Sequence, residues 1–219
     1  MKKDTFSRDI LGMYWVPGRS TVLGSYTSNL KPTYLEPITL FKTVNNVGGD
    51  YFECGFGAGS SAKLTIHSMT QGILTKRNVC VADSFEGFPE LSEYDRTTKE
   101  SKKRNAKKGS LNTSFQPALD LKNFYKKYIN INIFKGFFKD TLHKYEGTIA
   151  ILFLDCDLYT SYKTSLETLY DKVCPGGLIL FDEYKSKVYP GATVAIDNFF
   201  KNKNIEIKKL RKMYYVIKP

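Results

Sequence analysis

An α/β fold with a mostly parallel, doubly wound sheet is predicted by three observations. From Asp50 onward, short apolar runs alternate with helix-length amphipathic segments, the pattern of successive βαβ units. One run opens into a glycine-rich turn, and two others end in acids, at Asp155 and at Asp182 and Glu183. The last two runs are separated only by Arg211 and Lys212, which makes them an antiparallel hairpin.

Each element has its own justification. Residues 1–48 carry turn signals at Pro17, Gly18, Gly24, Pro32, Pro37, Gly48 and Gly49, with a helix expected over 34–47. They read as an N-terminal cap in front of a core that occupies 49–219. Parallel strands are expected at 51–54, 78–82, 132–134, 150–154 and 177–181, each short and mostly apolar, as strands covered on both faces are. Helices are expected at 60–69, 115–128 and 161–173; the last places Tyr162, Leu166, Leu169, Tyr170 and Val173 at three-to-four spacing. Connections of that length make right-handed crossovers. A helix over 193–201 and hairpin strands at 205–210 and 213–217 complete the core. Residues 92–110 are basic and lack the apolar positions of a core element, so a solvated loop is expected there, one able to close over an anionic substrate.

Composition narrows the function. A length of 219 residues suits one domain, and 42% hydrophobic with 25% charged residues excludes disordered, collagen-like and disulfide-stapled classes. The opening MKKDTFSRDI has no apolar run behind it, and the most apolar stretch, 149–158, is too short to span a bilayer. Neither a cleaved signal nor a membrane span is expected. Cys54, Cys80, Cys156 and Cys174 show no CxxC spacing and read as reduced thiols, which points to the cytoplasm. A net charge of +11 favours anionic surfaces or ligands, and in a chain rich in Lys and Asn it also serves solubility.

Three motifs carry chemistry. In YFECGFGAGSSA, residues 51–62, Gly55, Gly57 and Gly59 let the backbone turn sharply at a helix N-terminus starting near Ser60, the geometry of a nucleotide-like cofactor site. Ser60 stands where a dinucleotide fingerprint needs its third glycine, and Glu53 would repel a pyrophosphate but suits a cationic or amine-bearing ligand. The bare alternative is a turn whose glycines serve packing alone. In VADSFEGFPE, residues 81–90, Asp83 ends the second strand, where a carboxylate accepts both ribose hydroxyls or caps a turn. Asp155, Asp182 and Glu183 end two further strands and should converge on one crevice; three acids repel unless a cation lies between them, and hard oxygen donors suit Mg²⁺. Asp157 is spaced to cap the following helix.

Together these residues resemble the macrocin O-methyltransferase family of class I S-adenosylmethionine-dependent methyltransferases, with a Rossmann-like fold. The likeness covers about residues 50–199 and rests on DYFECGFGAGSSA, ADSFEGFPE, GFFKDTL, LDCDLYTS, LYDKVCPGGLILFDEY and GATVAIDNFF in family order. It implies that Glu53, Cys54, Gly55, Gly57, Gly59 and Ser60 face the methionine part of S-adenosyl-L-methionine. It places Asp83 at the ribose and Phe137 and Phe138 about the adenine, with Ser84 and Phe85 also among the cofactor-binding residues. It sets Mg²⁺ at Asp155, Asp182 and Glu183; Asp155 is also expected to touch the cofactor and, as the catalytic residue, to accept the hydroxyl proton. Two positions depart from the family pattern: Glu183 stands where an Asp is usual, and Phe137 where a Trp is common. The implied acceptor is a sugar hydroxyl on a glycan, nucleotide sugar or natural-product glycoside, and a homo-oligomer is compatible with it. His67 and His143 read as structural or surface residues, and Trp15, with Tyr14 and Arg19, as acceptor-pocket or core residues. Two rival readings remain. One is an RNA methyltransferase using 99–108 and 208–212 as phosphate contacts, disfavoured by the acid cluster; the other is a non-catalytic nucleotide-binding domain.

Overall fold

The computed structural model describes residues 35–219, and the readings for Tyr14, Trp15 and Arg19 and for most of the 1–48 cap lie outside them. The strands are β1 (Asp50–Cys54), β2 (Val79–Asp83), β3 (Ile131–Lys135), β4 (Ile149–Leu154), β5 (Val173–Phe181), β6 (Lys208–Leu210) and β7 (Met213–Ile217). They form one sheet in the order β3-β2-β1-β4-β5-β7-β6. The first five are parallel, and β7 pairs antiparallel with both β5 and β6.

The helices are α1 (Leu35–Lys42), α2 (Ser60–Thr70), α3 (Lys99–Arg104), α4 (Gln116–Tyr125), α5 (Phe138–Thr141), α6 (Tyr159–Leu169) and α7 (Pro190–Phe200). Adjacent residues of β1 show why its sequence is apolar without alternation. Tyr51 packs in one layer with Phe41, Ile66, Met69 and Leu121, while Phe52 packs in the other with Leu142, Leu152 and Ile179; both are fully buried. Helices on both faces leave every position of the central strand β4 buried, as parallel sheets require.

Five expected boundaries move, the first three for local reasons. The run Cys174-Pro175-Gly176-Gly177 reads as a turn, yet β5 begins at Val173, paired with Ile149 through a bulge, and Gly176 takes a φ of 76°. Helix α6 starts at Tyr159 and gives way to a 3-10 turn over Tyr170–Lys172, so Val173 opens a strand instead of closing a helix. Helix α7 starts at Pro190, whose fixed φ and missing N–H suit the first helical turn. Helix α4 ends at Tyr125, and the first hairpin strand shortens to Lys208–Leu210.

The basic stretch departs most from expectation. Residues 92–110 hold a 3-10 turn, Glu93–Arg96, and then α3, each opened by a capping box, at Ser92 and at Thr98. Asp95 and Ser101 are buried. Asp95 Oδ1 accepts from Tyr159 N at 2.8 Å, so this segment, and not Asp157, caps α6. A Cβ on Gly191 would lie 2.1 Å from Asp95 Oδ1, which explains a glycine in the first turn of α7. Thr98 Oγ1 donates to Lys187 O at 2.5 Å. The segment is therefore tied to the ends of two core helices. Among the described residues no helix is long and apolar enough to cross a membrane, and the four cysteines are free.

Candidate functional site

The strand order reverses at β1, which has β2 on one side and β4 on the other, and the loops leaving these strands part to form a crevice. A cleft of about 1180 Å³ lies there, over the C-terminal ends of the parallel strands. Hydrogen bonds extend the ladder one residue past the strands: Gly55 N to Ala82 O, Asp155 N to Cys54 O, Asp182 N to Leu154 O and Gly136 N to Asp83 O, all at 2.8–3.0 Å. The loops thus leave the sheet from fixed positions. At Gly55 a Cβ would fall 1.6 Å from Asp155 O, so only glycine permits this approach of β1 to β4.

The β1 turn forms one wall. Gly57 has a φ of 51°, and the space where its Cβ would stand is open. Its N–H donates to Asp83 Oδ2 at 2.9 Å, and Phe85 N donates to Asp83 Oδ1 at 2.8 Å, which fixes the carboxylate at the end of β2. Glu53 lies behind this wall, fully buried. It accepts from Tyr51 Oη at 2.6 Å and from Ser61 Oγ, and burial raises its carboxyl to about 7, with the Asp83 charge adding to the rise and the two hydrogen bonds opposing it. Cys54 points into the opposite core layer, where burial pushes its thiol up to about 12. Phe85 packs between Phe56 and Phe115 at centroid distances of 6.0 and 4.9 Å, and the Gly59 position lies against the Phe56 ring. Glu53, Cys54, Gly59 and Phe85 therefore shape the wall from behind; Gly55, Gly57, Ser60, Asp83, Ser84, Phe137 and Phe138 line it. Ser84 spends its hydroxyl on Gly87 O and Glu86 N, closing its own turn.

The facing wall is acidic. Asp155, Asp182 and Glu183 each present an oxygen within 4.8 Å of the others. Glu183 is buried, and its Oε2 accepts from Tyr162 Oη at 2.5 Å and from Asp157 N at 3.3 Å. Tyr162 Oη also accepts from Glu183 N at 3.2 Å and lies 2.8 Å from Leu154 O, which holds the pair at the end of β4. Burial, then the neighbouring acids, raise Asp155 and Glu183 well above the usual carboxylate range, while a hydrogen bond between the two opposes this for Asp155. A hard divalent cation of Mg²⁺ type fits this all-oxygen set and would remove the repulsion. Asp157, in left-handed conformation at φ 61°, lines the cleft beside it. Burial and the Asp182 charge raise its carboxyl to about 7, and the Arg104 charge and a hydrogen bond with Tyr189 pull the other way.

A profile of the family described as Macrocin-O-methyltransferase (TylF) matches residues 33–214. The chain belongs to that family. It is 31% identical over 157 residues to the demethyldecarbamoylnovobiocin O-methyltransferase of Streptomyces niveus, covering 71% of this chain and 59% of that one. It is equally identical over 145 residues to the 8-demethyl-8-(2,3-dimethoxy-alpha-L-rhamnosyl)-tetracenomycin-C 4'-O-methyltransferase of Streptomyces olivaceus, covering 64% and 54%. The matches thus span less than two thirds of these relatives. Among solved structures, the O-methyltransferase NovP superposes with a TM-score of 0.70 at 28% identity, over 93% of this chain and 84% of that one. The class I methyltransferase fold of this family member follows.

Sequence reasoning missed Ser61, Tyr162, Asp95, Arg104 and Tyr189. Tyr162 carried only a helical-spacing signal, which marked it as core, and it is both core and a hydroxyl donor to Glu183. Asp95 stood inside a basic run that masked it.

Proposed function

We propose that this chain transfers a methyl group from S-adenosylmethionine to a hydroxyl of a sugar-bearing small molecule, with Mg²⁺ held by Asp155, Asp182 and Glu183. The observation that carries the reading is the pairing of a glycine-walled, Asp83-ended cradle with three converged carboxylates across one cleft. Bound there, the cofactor supplies an electrophilic methyl group, and the metal a Lewis acid toward vicinal hydroxyls.

The chain's own residues do the rest. Gly57 leaves the cofactor space clear, and Asp83, fixed by two backbone donors, keeps lone pairs for ribose hydroxyls. Phe137 and Phe138 give an apolar wall for a purine. Tyr162 orients Glu183, so the longer arm of Glu is held in place at a position where the family more often has Asp. Asp157 lines the cleft beside the three carboxylates and joins Asp155 as a proton acceptor. The rhamnosyl group in the name of one relative supports a sugar acceptor.

Calorimetry with S-adenosylmethionine and a methyl-transfer assay over a panel of sugar acceptors test this. Asp155→Ala and Asp182→Ala should lower transfer more than ~100-fold, beyond the range of outer-shell partners, with cofactor affinity kept within roughly tenfold. Transfer that is equal in chelator and in Mg²⁺ overturns the metal role.

A further inference from the structure

In the wall of the cleft, Leu111 is held in an arrangement that is unfavourable on two counts. Its side chain is 50% exposed, and its backbone lies in the left-handed region at φ 58°, where a bulky apolar residue is an outlier. Strain of this kind persists only where the surroundings over-determine the backbone, and it gathers at ligand sites. Both conditions hold here. On the N-terminal side, Gly109 N donates to Phe88 O at 2.9 Å, Phe88 N to Ser110 O at 2.8 Å and Lys107 N to Ser110 Oγ at 3.0 Å. Gly87 permits this pairing, since a Cβ there would lie 2.6 Å from the carbonyl oxygens of Gly109 and Ser110. On the C-terminal side, Phe115 packs edge-on against Phe85, centroids 4.9 Å apart, with Lys135 Nζ 4.7 Å over its ring. Leu111 stands between these two anchors and lines the cleft.

The layers of the fold say what it faces. The turn that carries Leu111 leads into α4, whose Ala118 and Leu121 pack in the same layer as α2. Phe138, next to Phe137, packs against the other layer with Leu142. Leu111 and the two phenylalanines therefore reach the cleft from opposite faces of the sheet, over the ends of β2 and β3. Phe85, two residues past Asp83, does not serve in place of Leu111, because its ring is buried with Phe56 and Phe115.

We propose that Leu111 covers the face of the cofactor's purine opposite Phe137 and Phe138, so that the end of the basic segment supplies a cofactor-binding residue. This deepens the methyl-transfer reading and rests on it. With the ribose hydroxyls on Asp83 at the end of β2, the base extends toward β3, where two aromatic rings meet one side of it and the Leu111 side chain the other. That contact buries the apolar surface of Leu111 and offsets the strained backbone that presents it.

Calorimetry of the full chain with S-adenosylhomocysteine, and with S-ribosylhomocysteine, in which a hydroxyl replaces the base, tests this on Leu111→Gly. Loss of the side chain should weaken S-adenosylhomocysteine binding roughly tenfold and leave S-ribosylhomocysteine binding unchanged. Glycine also removes the left-handed strain, so the melting temperature of the ligand-free chain should hold or rise, whereas loss of a merely structural leucine would lower it. Leu111→Met keeps an apolar cover and should bind S-adenosylhomocysteine within about threefold of wild type. Equal affinity of wild type and Leu111→Gly for S-adenosylhomocysteine overturns the proposal. So does an equal loss for the two ligands, or a loss that comes with a lower melting temperature. Failure of the wild-type chain to bind S-adenosylhomocysteine overturns the methyl-transfer reading itself, and the proposal with it.

Discussion

The two walls of the cleft both carry acids at strand ends, and they differ in what those acids face. On the β1 and β2 side, Glu53 accepts from Tyr51 and Ser61, and Asp83 from Gly57 N and Phe85 N. Each charge there has its donors within the fold. On the β4 and β5 side, Asp155, Asp182 and Glu183 face one another, and among the described residues only Glu183 has donors from outside the cluster. The first wall is finished by the polypeptide, while the second leaves its carboxylates facing one another, a repulsion that the proposed Mg²⁺ would relieve. An acid at a strand end is thus not itself a ligand site; what separates the cases is whether the protein supplies the compensating donors.

Variants can break this comparison. The largest effect is expected at Gly57, where a side chain would enter the open space of the finished wall without touching other protein atoms. Gly57→Val should weaken S-adenosylmethionine binding more than ~100-fold, counting both the filled space and the left-handed backbone that a branched residue resists. Unchanged affinity by calorimetry would remove the cofactor from that wall. Next, Tyr162→Phe takes the donor from Glu183 and should lower Mg²⁺ affinity ~10–100-fold in titrations, with cofactor binding kept.

A smaller effect tests the finished wall by pH. Glu53 titrates at about 7 in the fold against an ordinary 4.5, so between these values the folded chain holds a proton that the unfolded chain has released. Its contribution to stability is therefore full below 4.5 and declines as pH rises toward 7. Glu53→Gln should flatten that decline by on the order of 1–2 kcal/mol, read as melting temperature against pH with wild type in parallel. The smallest change is Asp95→Ala, which uncaps α6 and should cost about 1 kcal/mol in denaturant unfolding. If that loss also lowers transfer, the basic segment holds the Asp157 wall in working shape.

Much of this was legible in the chain. Apolar runs without alternation located the five parallel strands because both faces of the sheet are covered, and strand-end acids located the cleft because the parallel direction puts every C-terminal end on one side. Boundaries failed where a local signal had two meanings: Pro175-Gly176 serves a bulged strand as well as a turn. The basic run failed for a different reason. Seven cations nearby hid an Asp95 whose partner, Tyr159 N, lies 64 residues away.

The sequence by itself determined the layered α/β architecture, the glycine turn and the residue types at the strand ends, because periodicity, turn chemistry and side-chain charge are local properties. Only the tertiary structure decided which acids are satisfied and which are left facing one another. It also decided that Glu53 and Cys54 stand behind the cleft wall, and that a stretch with a loop's composition braces two helices. Those outcomes depend on hydrogen-bond donors brought from distant segments, whose meeting no local pattern encodes.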